Sequence, residues 1–232
     1  MADVPVIAVD GPSGTGKGML CGYLATWLGW HLLDSGALYR VLAHAALKEK
    51  IALHAEAGLA RLASQLDVRF EQHGRETRVL LADTDVSEAI RMEHCGSAAS
   101  RVAALNRVRQ ALLETQRAFR RAPGLVADGR DMGTVVFPEA PLKLFLTASA
   151  EERAKRRYKQ LKEKGINVSL PNLTADINER DARDESRIIS PLRPAPDAIV
   201  IDSTEYDAGE VCRYVSGLVR DKFSGKIALP PE

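Results

Sequence analysis

A chain of 232 residues is long enough for one α/β domain with insertions and a sizeable buried core. Lysine and arginine total 32 against 31 acidic residues, and a net charge of +1 argues against generalised attraction to nucleic acid. Cys21, Cys95 and Cys212 form no C-x-x-C pair, and their odd number argues against a disulfide framework; the five histidines show no H-E-x-x-H spacing, so a Cys/His metal site is not expected either.

The first ten residues lack a basic stretch ahead of a longer apolar core, and no run approaches the ~18 apolar residues of a membrane span. The expectation is a soluble cytoplasmic protein with reduced thiols.

In chain order, the apolar run 4–9 predicts a strand, and it feeds Gly11-Pro12-Ser13-Gly14-Thr15-Gly16-Lys17. That is G-x-x-x-x-G-K between a strand and a helix, the spelling of a phosphate-binding loop. Glycines let the chain wrap phosphate oxygens with its N–H groups inward, the following helix adds its positive N-terminus, and Lys17 puts a compact cation on the terminal phosphates. The chain is therefore expected to handle a nucleoside triphosphate. Gly18 stands where a magnesium-binding Ser or Thr is usual. A glycine there resembles the nucleoside monophosphate kinases, which read G-K-G-T or G-K-G-S; Met19 departs from that pattern, with either a lost phosphate contact or simple packing near Tyr23 as its consequence.

Leu20, Leu24, Trp27 and Leu28 form one face of a helix, with Trp27 expected in the core. A short strand His31-Leu32-Leu33 ends at Asp34-Ser35-Gly36, and Leu38, Val41, Leu42 and Ala45 continue as a helix. Between Asp67 and Val86 alternation replaces helical spacing, which predicts an antiparallel hairpin turning at His73-Gly74. Helical segments 98–102 and 108–119 precede strands at 125–127 and 142–146. Helical patterns at 151–164 and 174–186 lead to a last strand at 198–201, and the Pro230-Pro231-Glu232 tail is expected to fray. Alternating strands and helices argue a parallel sheet flanked by helices, an α/β fold.

Ligands in such sheets sit beyond the carboxyl ends of the strands. Those ends supply the loop, then Asp34-Ser35-Gly36 with Tyr39-Arg40, then Asp128-Gly129-Arg130-Asp131, so glycine, carboxylate and arginine converge. Arginine suits the place because its planar fork binds phosphate oxygens in bidentate fashion. Arg180, Asp184 and Arg187 share a helix face, with Arg183 beside them. Spacing alone leaves open a solvated face of weak ion pairs with Asp176, Asp181 and Glu185. Arg153, Arg156 and Arg157 pose the same question, with Glu151 and Glu152 as local partners.

Taken together, Asp10–Gly18, the stretch Leu33-Asp-Ser-Gly-Ala-Leu-Tyr-Arg40, the stretch Ala127-Asp-Gly-Arg-Asp-Met-Gly-Thr134 and Arg180-Asp-Ala-Arg-Asp184 resemble the bacterial cytidylate kinase family over nearly the full chain. The resemblance implies a single P-loop kinase domain over residues 1–232. It further implies a monophosphate-binding insertion at about 60–103, which holds the hairpin, and a short lid at about 153–167. It implies ATP as donor on Gly11, Pro12, Ser13, Gly14, Thr15, Gly16, Lys17, Gly18 and Met19, with CMP or dCMP as acceptor. Arg40 and Arg130 would grip the acceptor phosphate; Ser35, Arg109, Asp131 and Arg187 would surround the cytosine; Ser100, Arg180 and Asp184 would contact sugar hydroxyls. Arg153 and Arg157 would reach the donor phosphates, and Asp128 would order Mg2+ through water with no direct side-chain ligand. A monomer that binds neither nucleic acid nor membrane is expected. Rival readings are a kinase of another small metabolite and a P-loop switch that transfers nothing, the second suggested by the hydroxyls absent at Gly18 and Met19.

Overall fold

The computed structural model describes residues 4–225 and 227, apart from 74, 75, 164 and 188. Strand β1 (Val6–Asp10) runs into the loop 11–16 and helix α1 (Lys17–Leu28), and β2 (His31–Asp34) into α2 (Ser35–Lys48). Then come α3 (Glu56–Ser64), β3 (Val68–His73), β4 (Glu76–Leu81), β5 (Thr84–Asp85), α4 (Ser87–Arg91), α5 (Glu93–Val102) and α6 (Asn106–Arg117). After β6 (Leu125–Asp128) stands a π-helical turn, Met132–Val136, followed by β7 (Leu142–Thr147), α7 (Ala150–Glu163), α8 (Leu170–Glu185), β8 (Ile199–Asp202) and α9 (Ala208–Phe223).

The main sheet has the order β2-β6-β1-β7-β8, every pair parallel. Its central strands are buried along their whole length, which is why they read as unbroken apolar runs instead of alternating ones. One face packs through Ile7, Val9, Val126 and Leu144 on α1 and α9; the other packs through Val6, Ala8, Leu33 and Ala127 on Leu38 and the π-turn residues Met132 and Val136. A third apolar cluster joins α2, α3, α5 and α6 to Val79 of β4, away from the sheet. Among the described residues no helix is long and apolar enough to cross a membrane.

The α/β architecture matches the expectation, with three differences of detail. The hairpin is a three-strand antiparallel meander, because β5 adds to the outer edge of β4; the expected turn residue Gly74 and the tail 230–232 lie outside the described residues. Trp27 is half-buried at the rim of the core instead of inside it. Its ring stacks on Tyr23 and carries the Arg220 guanidinium 5.3 Å from its centroid. Finally, α9 completes one face of the sheet, and its start is a capping box in which the Asp207 side chain accepts from Glu210 N at 2.8 Å and Glu210 answers onto Asp207 N at 2.8 Å.

Candidate active site

The loop between β1 and α1 is held open by geometry that side chains would prevent. Gly11 has φ +142°, and a β-carbon there would stand 1.9 Å from the carbonyl oxygen of Leu146 on the neighbouring strand. The turn thus brings backbone against β7 in a way only glycine allows. Inside the loop, the Pro12 carbonyl accepts from Lys17 Nζ at 2.7 Å and from Thr15 Oγ1 at 3.1 Å. Lys17 is buried, and burial, with Arg130 nearby, pulls its ammonium down to about 8 against the attraction of Asp128.

Carboxylates end β1, β2 and β6, and those of Asp10 and Asp128 act on that ammonium. Asp34 and Asp128 are register partners across β2 and β6, and Asp128 faces Val9 on β1. Asp34 caps α2 by accepting from Ala37 N at 2.8 Å. Burial pushes Asp128 up to about 6, opposed by Lys17. A β-carbon on Gly18 would lie 3.6 Å from Asp128 Oδ2, so a carboxylate stands beside the position where a hydroxyl is usual. Asp10, also buried, accepts from the backbone of Met132 and Gly133 at 2.8 Å each, and burial raises it to about 7 although both N–H groups pull it down.

Beside this lies a cavity lined by Ser35, Ser100, Arg109, Arg130, Asp131, Arg180, Asp184 and Arg187, eight positions brought together from α2, α5, α6, the β6 end, α8 and the residues just after it. Its charges are paired internally. Arg109 bonds to Asp131, with both side chains buried, and Asp184 accepts from Arg130 Nε at 3.2 Å and from Arg187. Burial would lower Arg109, but Tyr39 and Asp131 outweigh it and its pKa rises; burial lowers Arg187 despite Asp184. The solvated-face alternative for Arg180, Asp184 and Arg187 is thereby corrected: Asp184 and Arg187 turn inward, where an isolated charge would be expensive. Arg183 stays nearer the surface, on Ser100 Oγ at 3.2 Å and Glu179 at 2.7 Å.

A second cleft adjoins the loop and is lined by Ser13, Gly14, Gly16, Arg40, Arg153, Arg157 and Arg180, so Arg180 borders both spaces. Arg40 therefore faces the loop side of the site, while Arg130 lines the other cavity. Arg153 is 4% exposed and is anchored by Asp181 at 2.6 Å, by Ala148 O at 3.0 Å and by Ser13 O at 3.2 Å, not by Glu151 or Glu152. Its β-carbon lies 3.1 Å from where one on Gly14 would stand, which seats it against the loop itself. Arg156 does take the local partner, Glu152 at 3.0 Å, and also bonds Ser203 O at 2.6 Å. Met19 is 44% exposed, with Sδ 3.7 Å from Cys212 Sγ, and it stands one turn before Tyr23 on the same helix.

Four residues carry site contacts that the sequence did not assign them. Tyr39 lines the cavity with a buried hydroxyl that has no hydrogen-bond partner and a ring 5.8 Å from the Arg109 guanidinium; burial pushes it up to about 12. Gln116 bonds Ser35, Asp181 holds Arg153, and Asp10 ties β1 to the turn after Asp131. A polar residue on the apolar stripe Val108, Leu112 was the one signal that could have exposed Gln116.

With that geometry in place, the comparisons are specific. A model of the cytidylate kinase family matches residues 7–221. The cytidylate kinase of Aeromonas hydrophila is 60% identical over 207 residues, 89% of this chain and 90% of that protein. That of Nitrosococcus oceani is 61% identical over 215 residues, covering 92% and 95%. That of Klebsiella pneumoniae is 54% identical over 223 residues, covering 96% and 98%.

Proposed function

This chain belongs to the cytidylate kinase family, and we propose on that premise that it transfers the terminal phosphoryl group of ATP to CMP or dCMP, giving ADP and the nucleoside diphosphate. The observation that carries the reading is the Arg109–Asp131 pair and the Asp184 arginines facing one cavity beside the phosphate loop. The acceptor phosphate oxygen attacks the terminal phosphorus in line, and the bond to the bridging oxygen breaks as ADP leaves. No protein nucleophile is needed; the work is positioning and neutralising charge.

Lys17 and the backbone of residues 11–19 hold the donor phosphates, with Arg153 and Arg157 on their far side. Arg40 and Arg130 grip the acceptor phosphate from the two sides bordered by Arg180, whose helix also presents Asp184 to the sugar along with Ser100. Ser35, Arg109, Asp131 and Arg187 surround the base. Asp131 accepts from the exocyclic amine of cytosine, whereas uracil would set a carbonyl against a carboxylate.

Mg2+ accompanies the donor phosphates, and the hard oxygen donors fit it. Asp128 would hold it through water beside Gly18, with Asp34 as its register neighbour, which suits an ion that keeps much of its hydration. Among the described residues no group of three or more His, Cys, Asp or Glu could hold a metal ion. When bound, it neutralises charge developing across the phosphates.

Residues 60–103 act as the monophosphate-binding insertion and 153–167 as the lid. Supporting the assignment, α7 and α8 meet through a small separate cluster of Ala154, Leu161 and Leu173, and the insertion helices have their own apolar cluster. A monomer is the oligomeric state proposed here. Near-zero net charge speaks against nucleic acid as a partner, and a cytoplasmic location agrees with nucleotide substrates. The deciding experiment is ADP formation from ATP with CMP, dCMP, UMP, AMP or no acceptor. Strong, selective turnover with CMP and dCMP is expected; equal ADP release without acceptor would leave only a nucleotide-hydrolysing module.

A further inference from the structure

Resting on the acceptor site just proposed, we infer that Gln116 is a positioning residue that sets selectivity for cytosine by fixing the direction of the Ser35 hydroxyl. Ser35 opens α2 and lines the cavity with Arg109 and Asp131. Gln116 lies on α6, two turns beyond Arg109 and on the same face. Ser35 and Gln116 are 3% and 2% exposed, and Ser35 Oγ donates to Gln116 Oε1 at 2.7 Å.

The amide cannot be turned round without loss. Gln116 Nε2 donates to the Leu112 carbonyl at 3.3 Å, and a carbonyl only accepts, so the amide oxygen is the atom left to face Ser35. A hydroxyl has one proton. With that proton held by Gln116, Ser35 can offer the cavity lone pairs alone. Asp131 offers the same polarity, since Arg109 occupies its Oδ2 and leaves Oδ1 as an acceptor.

Two acceptors lining one cavity complement an exocyclic amine, which has two N–H groups to give. A uracil carbonyl in that place meets lone pairs from both. Freed of Gln116, the Ser35 hydroxyl would rotate and donate to the carbonyl, and half of the discrimination on that edge would vanish. Asp131 alone is therefore insufficient; the locked rotor of Ser35 supplies the second acceptor.

The test is the ratio of kcat/KM for CMP over UMP in Gln116→Met, which keeps the volume and deletes the acceptor. The ratio is expected to fall roughly three- to tenfold, the range of one hydrogen bond, mainly by a gain for UMP. Gln116→Glu should restore the native ratio, because a buried, protonated carboxyl accepts from Ser35 and donates to Leu112 as the amide does. In a Ser35→Ala background, Gln116→Met should change nothing further. An unmoved ratio in folded Gln116→Met, or the same fall without Ser35, overturns the inference and leaves Gln116 as packing. If both Gln116 variants fail to fold, N4-methyl-CMP with the unaltered protein decides: replacing one amine hydrogen should cost at least about threefold, and turnover equal to CMP would show that only one hydrogen is read. Absence of CMP turnover in the unaltered protein would instead sink the underlying functional reading.

Discussion

Asp10 and Gly133 are 123 residues apart in the chain, yet Asp10 Oδ2 accepts the Gly133 backbone N–H at 2.8 Å, and Oδ1 accepts that of Met132 at the same distance. One buried carboxylate at the end of β1 thus fixes both the entry to the phosphate loop and the turn that follows Asp131. Asparagine offers one acceptor where the carboxylate offers two, so Asp10→Asn leaves a buried N–H unpaired, at about 1–3 kcal/mol. A lower thermal midpoint and a higher KM for CMP are expected together. Burial raises Asp10 to about 7, above the ~3.9 of an unfolded aspartate, so its contribution is fully present below the unfolded value and lost as pH rises through about 7. Denaturant titrations from pH 4 to 8 should show that loss, and Asp10→Asn should flatten it; an unchanged slope would remove Asp10 as its source.

Lys17→Ala is expected to fold and to lose ~10²–10³ in turnover, since the ammonium acts mainly on the migrating group. Near-native activity in the folded variant would defeat the loop's assigned role. Burial lowers Lys17 to about 8, below the ~10.4 of an unfolded lysine. In the free protein, kcat/KM for ATP should therefore decline as pH rises through about 8. Stability moves the other way: between about 8 and ~10.4 the unfolded chain holds the extra proton less favourably matched by the fold, so the Lys17 contribution grows with pH. Parallel kinetic and unfolding titrations of the native protein and Lys17→Ala check both signs.

Asp131→Asn should relax discrimination against UMP, because an amide can donate where a carboxylate only accepts. A hydrogen bond to a charged group is worth about 1.5–3 kcal/mol, so the CMP/UMP ratio of kcat/KM is expected to fall roughly ten- to hundredfold. The buried Arg109 also loses its counter-charge, and the thermal midpoint should drop with it. An unchanged ratio in a folded variant would mean that Asp131 does not read the base.

Met19→Thr should lower the KM for ATP roughly tenfold or more, for one hydroxyl-to-phosphate hydrogen bond regained, and leave the KM for CMP nearly alone. Because Met19 is largely exposed, the stability change should stay within about 0.5 kcal/mol. Donor KM and thermal midpoint on one preparation test this; a clear fall in midpoint with no gain for ATP would mean that the contact near Cys212 matters more than its exposure suggests.

The parts legible in the sequence are those governed by local spacing. Residues 11–17 announce a phosphate loop because glycine placement and the flanking strand and helix leave few other geometries, and the buried strands announce themselves because both faces must be apolar. The ordered motifs around Arg40, Asp128 and Arg180 likewise identified the family from the chain alone. Whether the arginines of α7 and α8 face water or a site could not be read, because helix spacing offers Glu151, Glu152 and Asp176 as equally good partners. In the fold α7 and α8 pack on each other, Arg153 pairs with Asp181 across them, and Arg187, just past the end of α8, pairs with Asp184. Asp10 on Gly133, Gln116 on Ser35 and the carboxylate of Asp128 beside Gly18 join residues far apart in the chain. No local pattern encodes such pairs, since each exists only where burial removes water and a polar group must take the partner that the fold supplies.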